Sequence, residues 1–220
     1  MSKEKKLIQI ENIMARIVLI CIGVFGFLNA SMKPLTYMEI DSYVMPIISL
    51  QYRGSFVIEP QDIEQAKIDF PSLYSDVNSY DDFRSSKLKK IDETHWTSFY
   101  FPVYAVFCLP LKLLLQIMHL DQMRCFLLTN VLFLWMAMYC LIRFFSKEKK
   151  EGTACAVLMC CSPIWYYIQY IGAEPIMFSL TVFSYLLWRN KHYNIAAVII
   201  SVTSMMNPTF IGIGVVMFFE

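Results

Sequence analysis

Residues 126–150 read FLLTNVLFLWMAMYCLIRFFSKEKK, an apolar run that ends in a basic loop. The pattern recurs along the second half of the chain. Apolar runs cover Phe126–Leu141, Thr153–Ile171, Pro175–Trp188 and Ile195–Phe219, while the loops Arg143–Lys150 and Arg189–His192 collect the lysines and arginines. The N-terminus is basic as well, with Lys3, Lys5 and Lys6 ahead of the apolar stretch Met14–Leu28. A helix crosses a bilayer with about 20 mostly apolar residues, and Lys and Arg accumulate in cytoplasmic loops. The positions of these loops therefore fix the topology.

Composition agrees with that class. Hydrophobic residues make up 57% of the 220 residues and charged residues 17%, and mean hydropathy is +0.47. A soluble domain of this length has no use for so much apolar surface, so the sequence predicts an integral membrane protein. The net charge of +1 gives no sign of a nucleic-acid partner. A cleaved signal peptide is the competing reading of the first apolar stretch, but the stretch is long for one. Asn29-Ala30-Ser31 matches a glycosylation sequon by chance, at the membrane edge. Seven cysteines lie almost entirely in apolar segments and read as small packing residues, not as a disulfide framework or a zinc site.

The basic clusters share one side only if Ser98–Met118 does not cross. That segment contains Pro102 and Pro110, carries Lys112 near its middle and ends in His119 and Asp121. A lysine at the centre of a span costs a few kcal/mol, whereas at an interface it can snorkel to water. The expectation is an all-α polytopic protein of the cell membrane. It has a cytoplasmic tail (1–11), five spans (12–31, 124–145, 153–171, 175–189 and 194–219) and one large outer loop (32–123). Within the loop, Tyr43, Ile47 and Leu50 share a helical face with Val44 and Ile48 beside it, which predicts an interfacial helix near 42–52, broken at Arg53-Gly54. Residues 98–118 form a second interfacial helix, and Asp62–Lys67 a further helical turn. Because the last span ends at Phe219-Glu220 without a basic flank, the chain reads as a fragment of a longer protein.

A large outer loop between spans one and two, with interfacial helices and an acidic residue soon after the first span, resembles the GT-C superfamily of membrane glycosyltransferases. Protein O-mannosyltransferases and the lipid A aminoarabinose transferase are examples. Glu39-Ile40-Asp41-Ser42-Tyr43 is similar to that family's acidic motif, and Tyr100-Phe101-Pro102-Val103-Tyr104 to its Tyr-Pro-Pro interfacial segment. Cys161-Ser162-Pro163-Ile164-Trp165-Tyr166-Tyr167 resembles its Ser-Pro-aromatic end of span three. Ala173-Glu174-Pro175 falls where members carry a second acidic residue. One proline follows Tyr100-Phe101 instead of two, and Glu stands at 174 where Asp is more usual. The resemblance implies transfer of a sugar from a polyprenyl-phosphate carrier to a glycan, lipid or protein acceptor at the outer face. The fragment alone is then expected to be inactive.

In chemical terms, an acceptor hydroxyl needs a base as the sugar leaves its phosphate. Asp41 is the favoured carboxylate, with Glu39 pointing elsewhere if the backbone is helical. Either could help hold a divalent cation as cofactor. Helix capping is the structural reading of Asp41. Glu174 is the acidic candidate on the acceptor or metal side, and charge at a helix N-terminus is its structural reading. Arg53, Lys112, Arg124 and His95 are phosphate-binding candidates, each with a solvated interface as the plainer role. Trp165, Tyr166, Tyr167 and Tyr170 form an aromatic cluster suited to the membrane interface. Asn207-Pro208 marks a kink in the last span. A transporter or lipid flippase, or a non-catalytic membrane subunit of an envelope-assembly complex, are the alternatives.

Overall fold

In a computed structural model, the structure describes residues 3–32, 40–75, 88–98, 102–146 and 149–219. Among them are eleven helices and one two-stranded ribbon. The order is α1 (Lys3–Ser31), α2 (Asp41–Arg53), α3 (Pro60–Asp69), α4 (Pro71–Tyr74), β1 (Leu88–Lys90), β2 (Trp96–Ser98), α5 (Val103–Ile117), α6 (Arg124–Phe144), α7 (Lys149–Cys160), α8 (Ile164–Ile168), α9 (Glu174–Arg189), α10 (Tyr193–Met206) and α11 (Phe210–Phe219).

The long helices make a bundle centred on α6, which packs on α1, α7 and α9, while α10 packs on α9. α1 runs antiparallel to α6. The Trp135 indole donates to the Leu19 carbonyl at 3.1 Å, and a methyl group at Gly26 would lie 2.8 Å from Val131. Small residues at such a crossing let two helices approach closely. Gly152 plays the same part between α6 and α7, because a Cβ there would lie 2.5 Å from the Leu141 carbonyl. Among the described residues, two helices are long and apolar enough to cross a membrane, Ile8–Ser31 and Arg124–Phe144.

Two of the apolar runs are broken where proline removes a backbone donor. Residues 153–171 divide at Ser162-Pro163 into the end of α7 and the short α8. Residues 194–219, expected as one kinked span, form a hairpin. Asn207 is extended (φ −148°, ψ 114°), as the residue before a proline tends to be. Its side-chain oxygen accepts from the Thr209 amide at 3.1 Å and hydroxyl at 2.9 Å, which caps the turn. α11 then folds back along α10, with Gly214 beside Ile200.

The basic clusters gather at one end of this bundle. The Lys149 ammonium donates to the Asn12 side chain near the start of α1, and the Arg189 guanidinium stacks 4.5 Å from the Phe145 ring centroid. Residues 3–11, expected as a tail, are the first turns of α1.

At the opposite end sits a lobe built from α2 to α5 and the ribbon. α2 buries Val44, Met45, Ile47 and Ile48 and packs on α5, α3 and β2; of the expected face, Val44, Ile47 and Ile48 are buried, whereas Tyr43 and Leu50 are half-buried. It ends at Gly54, whose φ of 65° is left-handed and whose amide returns to the Leu50 carbonyl at 3.0 Å. α3 starts with Pro60 behind a capping box of Glu59 and Asp62. An isolated bridge between Ile58 and Trp96 ties the ribbon to this lobe.

Lys112 differs from expectation. It does not snorkel outward but is fully buried, with its ammonium paired to Asp69 and bonded to Gln51. Tyr52 donates to the same Asp69 carboxylate at 3.0 Å, and Gln65 at 3.0 Å. Burial lowers the Lys112 pKa, and Asp69 opposes that shift. The reason lies in the neighbours, since α2 and α3 bring acceptors within reach of α5, so the charge is met inside the lobe.

Candidate functional site

Asp41 opens α2 and is only 3% exposed. Its Oδ1 accepts a 2.7 Å hydrogen bond from the Tyr74 hydroxyl of α4. Burial, and then the charge of Asp41, push the Tyr74 phenol well above its usual range. Glu39 lies outside the described residues.

From Tyr43, two residues beyond Asp41, a run of contacts crosses to α9. The Tyr43 ring meets Tyr104 edge-on at 5.2 Å. The Tyr104 hydroxyl donates to Asn130 Oδ1 at 3.3 Å. Asn130, fully buried on α6, donates through Nδ2 to the Gly172 carbonyl at 3.3 Å and the Tyr170 carbonyl at 3.5 Å. These bonds pin the turn that leads into Glu174. A Cβ at Gly172 would lie 2.3 Å from Glu174 Oε2, so the Glu174 carboxylate folds back over a residue that has no side chain.

Glu174 is exposed at the first position of α9, followed by Pro175. It borders two cavities. One is a cleft of about 280 Å³ lined by Tyr43, Tyr166, Tyr167, Tyr170 and Gly172. The other is a groove of about 690 Å³ between α6, α7, α9 and α11, lined almost wholly by apolar side chains such as Met177, Phe178, Phe210 and Ile213. The predicted aromatic cluster thus stands beside the predicted second carboxylate. Tyr166 and Tyr167 are 58% and 41% exposed, so their rings remain open to a ligand.

The phosphate-binding candidates fall elsewhere. Arg53 lies at the far end of α2, roughly 18 Å along the axis from Asp41. It holds Asp62 with two bonds of 2.8 and 3.1 Å, and Glu59 as well. The Asp62 hydrogen bond is the main reason that its pKa is raised. Lys112 is enclosed with Asp69. His95 contacts Asp92 at 2.8 Å in an exposed turn, where the Thr94 amide is the first cause that lowers Asp92 to about 2. Arg124, at the start of α6, is 3.9 Å from Asp121. None of the four lines the tyrosine cleft or the groove. Among the described residues no group of three His, Cys, Asp or Glu side chains is placed to hold a metal ion.

Three residues carry the site without having been singled out as ligands. Tyr43 reads from sequence as part of an apolar helix face, and Gly172 as a loop residue. Asn130 did leave a signal, as an amide inside an apolar run has to find partners there. No family model, curated protein or solved structure matches the chain.

Proposed function

We propose that the chain is the N-terminal membrane module of a GT-C-type glycosyltransferase, which moves a sugar from a polyprenyl-phosphate carrier to an acceptor hydroxyl at the outer face. The observation that carries this reading is the run of contacts through Tyr43, Tyr104, Asn130 and Gly172, which links α2, the helix that Asp41 opens, to the turn before Glu174 at the start of α9. Both lie at the end of the bundle away from the basic loops, which are the cytoplasmic side under the charge rule.

Membrane placement is supported by the surface of α1. Ile13, Ile17, Ile20, Val24, Phe27 and Leu28 are all about half exposed on it. An apolar patch of that extent needs lipid or protein to cover it.

The roles divide by exposure. Glu174, open to the cleft, is placed to accept the proton of the acceptor hydroxyl as that oxygen attacks the sugar and the carrier phosphate leaves. Asp41, held by Tyr74, stands two residues before Tyr43 at the start of α2. The test uses the full-length protein in lipid nanodiscs with a polyprenyl-phosphate-linked sugar. Asp41→Asn and Glu174→Gln should each lower transfer by about 100-fold or more. Near-normal turnover in both variants would remove the catalytic assignment.

A transporter or lipid flippase is the second reading. The breaks at Ser162-Pro163 and Asn207-Pro208 favour it, since interrupted helices line many transport sites. Lipid movement in liposomes without any sugar transfer would select it.

A further inference from the structure

The apolar groove follows one stripe of α9. Met177, Phe178, Thr181, Val182 and Tyr185 line it, and steps of three and four residues keep them on one helical face. From Glu174 to Tyr185 the stripe is about 16 Å long, at about 1.5 Å per residue. That is about the depth of one leaflet, half of a hydrocarbon core of about 30 Å. The next step of four residues leads to Arg189. We infer that the groove holds one acyl chain of an anionic phospholipid whose phosphate lies against Arg189. The inference rests on the membrane placement proposed above and goes beyond the transferase reading, which it does not need.

The lining accounts for the chain. Leu141, Cys155, Phe210 and Met217, from α6, α7 and α11, complete the walls of a space of about 690 Å³. Between its ends the polar side chains are few and already engaged. The Thr181 hydroxyl donates to the Met177 carbonyl at 2.8 Å, and the Asn207 oxygen accepts from Thr209. A run of methylenes gains from burial there, whereas a polar group would lose its water without replacement.

Charge at the basic end selects the head group. The Arg189 guanidinium lies 4.5 Å from the centroid of the Phe145 ring, and Phe145 lines the groove. A cation therefore stands at the edge of the apolar space, where the basic loops gather. Arg189 is exposed, and among the described residues it forms no ion pair. Arg143 and Lys191 are exposed at the same end. Glu151 opposes them from the first turn of α7, and the described cations outnumber it. A guanidinium pairs with a phosphate through two parallel hydrogen bonds, and basic residues beside membrane helices on the cytoplasmic side attract anionic lipids. An apolar groove one leaflet deep with a cation at its edge fits an amphiphile of one acyl chain in the groove and an anionic head outside it.

The experiment is lipid retention by native mass spectrometry, with the chain released from an amine-oxide detergent. Phosphatidylglycerol and phosphatidylcholine with the same acyl chains are offered in equal amounts. One phosphatidylglycerol should stay bound, about fivefold better than phosphatidylcholine, the factor expected from one cation near a lipid surface. Arg189→Gln should remove that preference, and Lys191→Gln, in the adjoining turn, should keep it. Thr181→Trp, which fills the groove, should weaken retention of both lipids while circular dichroism shows unchanged helix content. Equal retention of the two lipids by the parent chain overturns the inference. Equal losses in Arg189→Gln and Lys191→Gln do so as well, since they mark a general attraction to the basic end, and so does full retention in a folded Thr181→Trp variant. A dimer that carries no lipid would put a second copy in the groove and overturn it too. Turnover plays no part in the readout. Retention without sugar transfer by the full-length protein would remove the transferase alone, and transfer without retention would remove this site alone, while thiol labelling from either side of the membrane tests the placement itself.

Discussion

The Tyr74 hydroxyl donates a 2.7 Å hydrogen bond to Asp41, which joins α4 to the first turn of α2 across 33 residues of sequence. Both side chains are buried. Tyr74→Phe deletes the donor and leaves a buried carboxylate with one bond fewer, so thermal unfolding in nanodiscs should show a loss of about 1–3 kcal/mol. Asp41→Asn should change stability little, since its amide oxygen still accepts from Tyr74. A folded Tyr74→Phe variant as stable as the parent would show that this bond does not hold the lobe together.

The same pair sets an alkaline limit. The Tyr74 phenol is raised well above its ordinary value of 10.0, first by burial and then by Asp41. The unfolded chain therefore releases this proton near pH 10 while the folded chain keeps it. Above that pH the unfolded state binds fewer protons, so stability is full below about pH 10 and falls as pH rises further. Denaturant titrations from pH 8 to 11 should show the fall, and Tyr74→Phe should flatten it. An identical slope in the variant would contradict this assignment.

Lys112 and Asp69 form a buried ion pair between α5 and α3. Lys112→Met leaves Asp69 without its counter-charge and should cost about 3–5 kcal/mol in thermal unfolding. Adding Asp69→Leu should recover part of that loss and not all, because Tyr52 and Gln65 then lose their acceptor. A double variant less stable than the Lys112→Met single variant would mean that the two residues do not act as a pair.

The parts of this architecture that were legible in the sequence are those governed by local rules. The burial of Val44, Ile47 and Ile48 on α2 and its stop at Gly54 follow from periodicity and from the freedom of glycine at a left-handed φ, and the turn at Asp62–Lys67 lies within the longer α3. What was not legible depends on partners distant in sequence. Lys112 looks like an interfacial lysine until Asp69, 43 residues away, is seen beside it. Asn207-Pro208 announces a break, but whether the chain kinks or reverses is decided by the packing of α11 on α10. Asp41 was recognised as a carboxylate of interest, yet its burial under Tyr74 could not be read from local sequence. The route from Tyr43 to Glu174 runs through Asn130, whose sequence signal was only that of an amide in an apolar helix.

Impermeant thiol labelling tests most directly whether Asp41 and Glu174 face the outside of a membrane while the basic loops face the cytoplasm. Single cysteines would be placed at Glu93, in the exposed turn of the lobe, and at Lys191, in the exposed turn between α9 and α10, in a variant lacking the seven native cysteines. In intact cells Glu93→Cys should react at once, and Lys191→Cys should react only after the membrane is opened. Equal labelling of both in intact cells would contradict the topology and, with it, the placement of the site.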